Sequence, residues 1–239
     1  MSQKLRISLV VCLAVAAVTS VSAASRSKDE ETLRNAHTVL QGMLDSKSVP
    51  MDVLVKAHCL IVTPDVKKFG VVVGGGGRGP MLCKTGKNGT WSAPAMYTIG
   101  GVSAGLQVGG SSTDYVLLIM NKKAVDAILK VDTSLGRDAT VAAGPGATAT
   151  GDVGTDILTY GRSKGVFAGV SLSGATLEPD NEANKRLYER DVTAEDIVIK
   201  QSVTVTEGGK PLGTLLDGLT AVPAATSKKP AASKKQPPW

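Results

Sequence analysis

Aromatic residues make up only 3% of this 239-residue chain, and histidine occurs twice, at His37 and His58. So few rings exclude the stacking of successive bases on which single-strand nucleic-acid binding depends, and they require a core of Val, Leu, Ile and Ala. The shortage of histidine excludes more. Gly101-Val102-Ser103-Ala104-Gly105 has the spacing of a hydrolase nucleophile elbow, which needs a histidine after the serine and a helix behind the turn. Both histidines precede Ser103, and Leu106-Gln107-Val108 reads as strand. No His, Cys and acidic residues fall at metal-ligand spacing. The sequence therefore assigns no catalytic residue, no metal and no cofactor.

Long apolar runs are also missing. Lys4 and Arg6, an apolar run over 7–18 and the small-residue pattern Val21-Ser22-Ala23 form the layout of a secretory leader, residues 1–24, cleaved after Ala23 or Ala24. That run falls short of the roughly 18 to 20 residues of a membrane span, and nothing later in the chain matches it. Cys12 lies inside it without the small residue that precedes an acylated cysteine. The expectation is an exported protein, periplasmic or secreted. Of three cysteines, Cys59 and Cys83 would remain after cleavage. In an oxidising compartment such a pair favours one disulfide; two buried thiols are the alternative.

The formal charge of +6 is not a property of the folded body. Lys4 and Arg6 leave with the leader, and Lys228, Lys229, Lys234 and Lys235 sit in a Pro/Ala/Ser/Lys tail over 222–239 that has almost nothing to bury. Setting those six aside from 27 basic residues leaves 21, equal to the 21 acidic ones. A nucleic-acid binder needs a basic stripe on its folded surface, and none is implied.

What the chain does have is strand grammar. Short β-branched runs at 71–73, 96–99, 105–108, 116–120, 139–143, 157–160 and 166–177 are punctuated by glycine, which predicts an antiparallel sheet that curls or closes. Helices flank it. Ser27 and Glu30 have capping-box spacing ahead of Leu33, Ala36, Val39, Leu40, Met43 and Leu44, predicting an amphipathic helix over 28–45 that packs on its own domain. Pro50 suits the first turn of a short helix reaching about residue 58. Asn121 starts another, Thr193 and Asp196 form a cap within the helical pattern of 182–200, and 211–219 is a last short helix. The fold class is α+β: a strand-rich antiparallel sheet, curled or barrel-like, with flanking helices in a single domain over 25–221. Gly74, Gly76 and Gly79 match a dinucleotide fingerprint, but no helix opens on them and the next acid is Asp114. They read instead as a mobile glycine loop carrying Arg78.

Several blocks follow one another in one order: Trp91-Ser92-Ala93-Pro94; Gly109 through Ser112-Thr113-Asp114; Ala142-Ala143-Gly144-Pro145; and the run from Arg162-Ser163-Lys164 to Ser171-Leu172. Asp180, Asn184, Tyr188 and Asp191-Val192-Thr193 extend them. In this order and spacing the chain resembles the SYLF (Ysc84-like) family. Gly76 and Gly77 depart from it, standing where members often carry an aromatic residue. The resemblance implies a compact domain that binds phospholipids, phosphoinositides in eukaryotic members, and here an exported lipid-binding member of the bacterial cell envelope without enzymatic activity. Actin binding, known in some fungal members, would not apply to such a protein. Its partner would be an anionic phospholipid or membrane surface, with no nucleic acid. The alternative is a structural module of the envelope that docks a protein partner or cell-wall polymer. Lys67, Lys68, Arg78, Lys84 and Lys87 against Asp65 give a local excess of +4 over 60–90, and Arg162 and Lys164 join them if the hairpin 157–177 packs alongside. A Cys59–Cys83 bridge would clamp the second helix to the strand after the glycine loop and pre-organise that cationic face.

Overall fold

Cys59 and Ile61 point into one apolar cluster and Leu60 and Val62 into another, as the two-residue period of a strand requires. All four are buried, so strand β1 (Cys59–Phe69) is covered on both faces. The structure is a computed structural model that describes residues 3–69, 73–85, 89–102, 112–130, 132–144, 155–163, 166–169 and 172–221. The remaining strands are β2 (Val73–Thr85), β3 (Thr90–Trp91), β4 (Ala95–Val102), β5 (Ser112–Ile119), β6 (Thr133–Ser134), β7 (Val141–Ala143), β8 (Ile157–Ser163), β9 (Val166–Gly169) and β10 (Thr176–Pro179). They join in the order β6-β10-β4-β2-β1-β5-β8-β7, with β3 on β2 and β9 on β8. Every pairing is antiparallel except β7 with β8. The sheet curls strongly into a half-barrel within one domain, the α+β architecture expected.

Helices cover its two faces. Helix α1 (Gln3–Asp45), α2 (Met51–Leu54) and α6 (Lys210–Ala221) bury Leu40, Met43, Leu54, Leu212 and Leu216 on the side of Leu60 and Val62. Helices α3 (Lys122–Ile128) and α5 (Ala194–Val198) bury Val125, Ile128, Ile197 and Val198 on the side of Ile61. Helix α4 (Asn181–Tyr188) joins α1 to β4 through Leu33, Met96, Ala183 and Leu187. The apolar stripe read over 28–45 does pack on its own domain.

Local capping signals hold where the partner is nearby. Asn121 accepts from the Ala124 N–H at 2.9 Å, and Thr193 with Asp196 forms a full capping box. The Ser27–Glu30 box does not form, because α1 runs straight through it. Glu30 instead accepts from the Gly208 N–H and, at 3.1 Å, from the Thr206 hydroxyl, fixing the turn that leads into α6. The expected leader boundary falls within α1. Pro50 is the N-cap of α2 at φ −65° and ψ 129° rather than a residue of its first turn. The run 166–177 is divided: β9 stays beside β8, while β10 crosses to pair with β4. The strand expected at 105–108, most of that at 71–73, Ser103 and the tail 222–239 lie outside the described residues.

The glycine loop is corrected to a strand. Gly74 to Gly79 belong to β2, squeezed between β1 and β4. A Cβ on Gly79 would lie 1.8 Å from the Val62 carbonyl oxygen, and one on Gly77 would lie 2.7 Å from Val66 Cγ2. Backbone proximity at the core requires these two glycines.

Candidate functional site

Cross-strand register places the expected cations. Lys67 is opposite Ser112, and Asp114 is opposite Arg162, so β1, β5 and β8 bring both cations to one end of the sheet. A bulge between Thr63 and Val66 puts Asp65 at φ 51°, and the Asp65 N–H donates to Asp114 Oδ1 at 3.0 Å. Short polar side chains tolerate that left-handed geometry best. Ser112 donates its hydroxyl to the Asp65 carboxylate, and Lys67 Nζ is 3.7 Å from the same group. Arg162 forks onto Asp114 Oδ2 through Nε at 2.9 Å and Nη2 at 2.7 Å. Gly42 of α1 leaves room for this guanidinium: a Cβ there would stand 2.9 Å from Arg162 Nη1. The result is a small charged network in which Lys67 is the most accessible cation, its side chain 62% exposed.

The other expected site residues are elsewhere. Arg78 is held midway along β2 by two carboxylates, Asp29 Oδ1 at 2.5 Å and Asp180 Oδ2 at 2.8 Å. Asp29 is buried and also receives Arg186 Nε at 2.7 Å. That bond raises the Arg186 pKa above its ordinary value, against the smaller effect of burial. This four-membered network ties α1, β2 and α4 together. Lys84 sits near the opposite end of β2, half-buried, donating to the Val55 carbonyl and lying 5.4 Å from the centroid of Trp91. Burial pulls its pKa below the usual lysine value. Lys87 and Lys164, and the side chain of Lys68, lie outside the described residues.

Cys59 and Cys83 are directly opposite in the β1–β2 register, bridged, with Cα atoms 4.0 Å apart. The bond joins two neighbouring strands, not a helix to a strand. It closes the open end of the hairpin, eight residues or about 25 Å of strand rise away from Lys67. The bridge therefore does not hold the cationic end directly.

Tyr188 and Pro94, both quoted from the sequence, meet each other, and Trp91, Asp180 and Asn184 hold or cap neighbouring elements. Asn184 Oδ1 accepts the Met96 N–H at 2.7 Å, the Tyr188 hydroxyl donates to the Pro94 carbonyl at 2.5 Å, and Asp180 caps α4. The Trp91 N–H donates to Asp217 of α6 at 2.9 Å. Sequence reading missed Asp29, Asp65, Asp114 and Arg186 as partners. Their only signal was a charge of the right sign at a distant position, too weak to find without the fold. Among the described residues no group of three or more His, Cys, Asp and Glu could hold a metal ion, and no helix is long and apolar enough to cross a membrane.

The family described as Ysc84, Las17-binding protein actin regulator, matches residues 100–219. The chain is similar to SH3 domain-containing YSC84-like protein 1 of Xenopus laevis, 33% identical over 81% of this chain and 59% of that protein. The Homo sapiens protein of the same name is 31% identical over 80% of this chain and 60% of its own length. LAS seventeen-binding protein 3 of Saccharomyces cerevisiae is 34% identical over 63% of this chain and 34% of its length. The chain thus spans less than two thirds of each of these relatives. No solved structure matches it.

Proposed function

The chain belongs to the Ysc84 family, described as Las17-binding actin regulators, and on that premise we propose that it is a non-catalytic module that docks on anionic phospholipid surfaces. The contact is the end of the sheet that carries Lys67. The observation that supports this is the convergence of Lys67 and Arg162 there, with Lys68 next in the chain. Asp114 neutralises Arg162 and fixes it in place, so the attraction rests on the accessible Lys67 and its sequence neighbour Lys68 and is screened as salt rises. Flotation with phosphatidylglycerol vesicles is the test. Binding at low salt that weakens at high salt, and weakens further in Lys67→Glu/Lys68→Glu, is expected; absence of low-salt binding would defeat the reading.

A protein-docking role is the second reading. It is favoured by the Las17-binding description of the family and by the balanced charges of Asp65, Asp114, Lys67 and Arg162. Export to an oxidising compartment completes the proposal, supported by the leader-like N-terminus and by a cysteine pair placed within bonding reach. Mass spectrometry of the exported, unreduced, denatured protein should find no alkylatable thiol at Cys59 or Cys83.

A further inference from the structure

At the end of the hairpin away from Lys67 the surface opens into a cleft of about 490 Å³ between α3, α5 and the β1–β2 strands. Its lining includes both cysteines of the disulfide, Val125, Leu129 and Ile199. Ile199 is 46% exposed, one of two large hydrophobic side chains left open among the described residues. Single exposed apolar residues are ordinary, but this one stands over a concave apolar surface of the size that takes small ligands.

Charge on the rim decides what kind of ligand fits. Its two carboxylates are already engaged, Asp126 with Lys122 at 2.7 Å and Glu195 with Lys200 at 3.5 Å. Lys130 is exposed on the same rim and forms no ion pair among the described residues. Val125, Leu129 and Ile199 supply the apolar part of the wall, and the lining lysines Lys84, Lys122 and Lys130 outnumber its two carboxylates, which complements a single apolar chain that ends in an anion. We propose that this cleft binds a single-chain anionic amphiphile of the fatty-acid class, its chain on the disulfide, Leu129 and Ile199 and its carboxylate at Lys130. The site is separate from the surface proposed to meet vesicles and stands without it.

Both cysteines are only 1% exposed, so a reductant reaches the sulfurs only when the cleft opens, and a ligand that binds the closed cleft makes that opening rarer. By linkage, whatever favours the oxidised, closed cleft favours the ligand. Calorimetric titration of the whole protein with sodium dodecanoate, below its micellar concentration, tests the proposal. One dodecanoate per chain should bind, and dodecyltrimethylammonium, with the same chain and the opposite charge, should bind more weakly. Ile199→Asp, at an exposed position that leaves the core intact, should lower dodecanoate affinity by about tenfold. Lys130→Glu should lower it up to about fivefold. Saturating dodecanoate should slow reduction of the Cys59–Cys83 bridge by a phosphine. No dodecanoate binding, equal affinity for the two amphiphiles, or an unchanged affinity in Ile199→Asp would overturn the site. Ile199→Asp should leave vesicle flotation untouched, which separates failure here from failure of the lipid-surface reading.

Discussion

Asp29 has both carboxylate oxygens committed, one to Arg78 and both in reach of Arg186, and its own side chain is 1% exposed. An anion so placed is tolerable only while its partners stay. Asp29→Ala would leave Arg186 without its closest carboxylate and Arg78 with Asp180 alone. Because both arginines are partly solvated, at 37% and 28%, the expected loss lies below that of a fully buried pair, about 2 kcal/mol by urea unfolding. Gly79 is the sharper case. A methyl group 1.8 Å from the Val62 carbonyl oxygen cannot be accommodated by rotating a side chain, so Gly79→Ala should cost at least about 3 kcal/mol or prevent folding. Asp156 contributes to the acid sensitivity. It accepts from Asn121, the Thr140 N–H and the Thr140 hydroxyl, each at 2.8 Å. Its pKa is lowered, chiefly by the Asn121 amide and then by the Thr140 backbone. A depressed folded pKa gives stability that is present above the unfolded value of about 3.9 and is lost as pH falls through the folded value. Unfolding measured from pH 6 down to pH 3 should therefore show a loss in the native chain, and Asp156→Asn should lack this part of the slope.

Strand β2 carries three separate demands along its length. Gly77 and Gly79 must be glycine to lie against β1, Arg78 between them is held by carboxylates, and the far end is fastened by Cys83. The Cys83 N–H donates to the Ser92 hydroxyl at 3.0 Å and its carbonyl accepts from the Ser92 N–H at 2.8 Å. The bridge therefore lies beside a strand end that is already paired. A link across 24 residues of sequence removes about 3 kcal/mol of unfolded-chain entropy in the loop model. Cys59→Ala/Cys83→Ala should lose about that much and keep its vesicle binding, since Lys67 lies at the other end of the hairpin. An effect on vesicle binding without a matching loss of stability would mean that the two ends are coupled.

At the scale of the molecule, the features legible in the sequence were those whose causes are local. The caps at Asn121 and Thr193 and the apolar stripe from Leu33 to Met43 each need only neighbouring residues. Glycines that serve a crossing strand, a Glu30 that reaches Gly208, and an Arg78 that answers Asp29 depend on contacts far apart in the chain. The cationic cluster was half legible, since Lys67 and Arg162 do meet at one sheet end while Arg78 and Lys84 serve other contacts. The same distinction bears on the expected leader. Everything that fastens α1 to the body through a described side chain begins at Arg26, which pairs with Glu189, and continues through Asp29, Glu30, Leu33, Leu40 and Met43. If those contacts carry the docking, a chain starting at Ser25 has the whole attachment and loses only helix that precedes it. Its thermal midpoint should then lie within about 2 °C of the full-length protein, less than the shift that 1 kcal/mol produces in a domain of this size. A fall of about 8 °C or more would correspond to several kcal/mol. It would make the first 24 residues part of the folded body, and the export proposal would have to be given up.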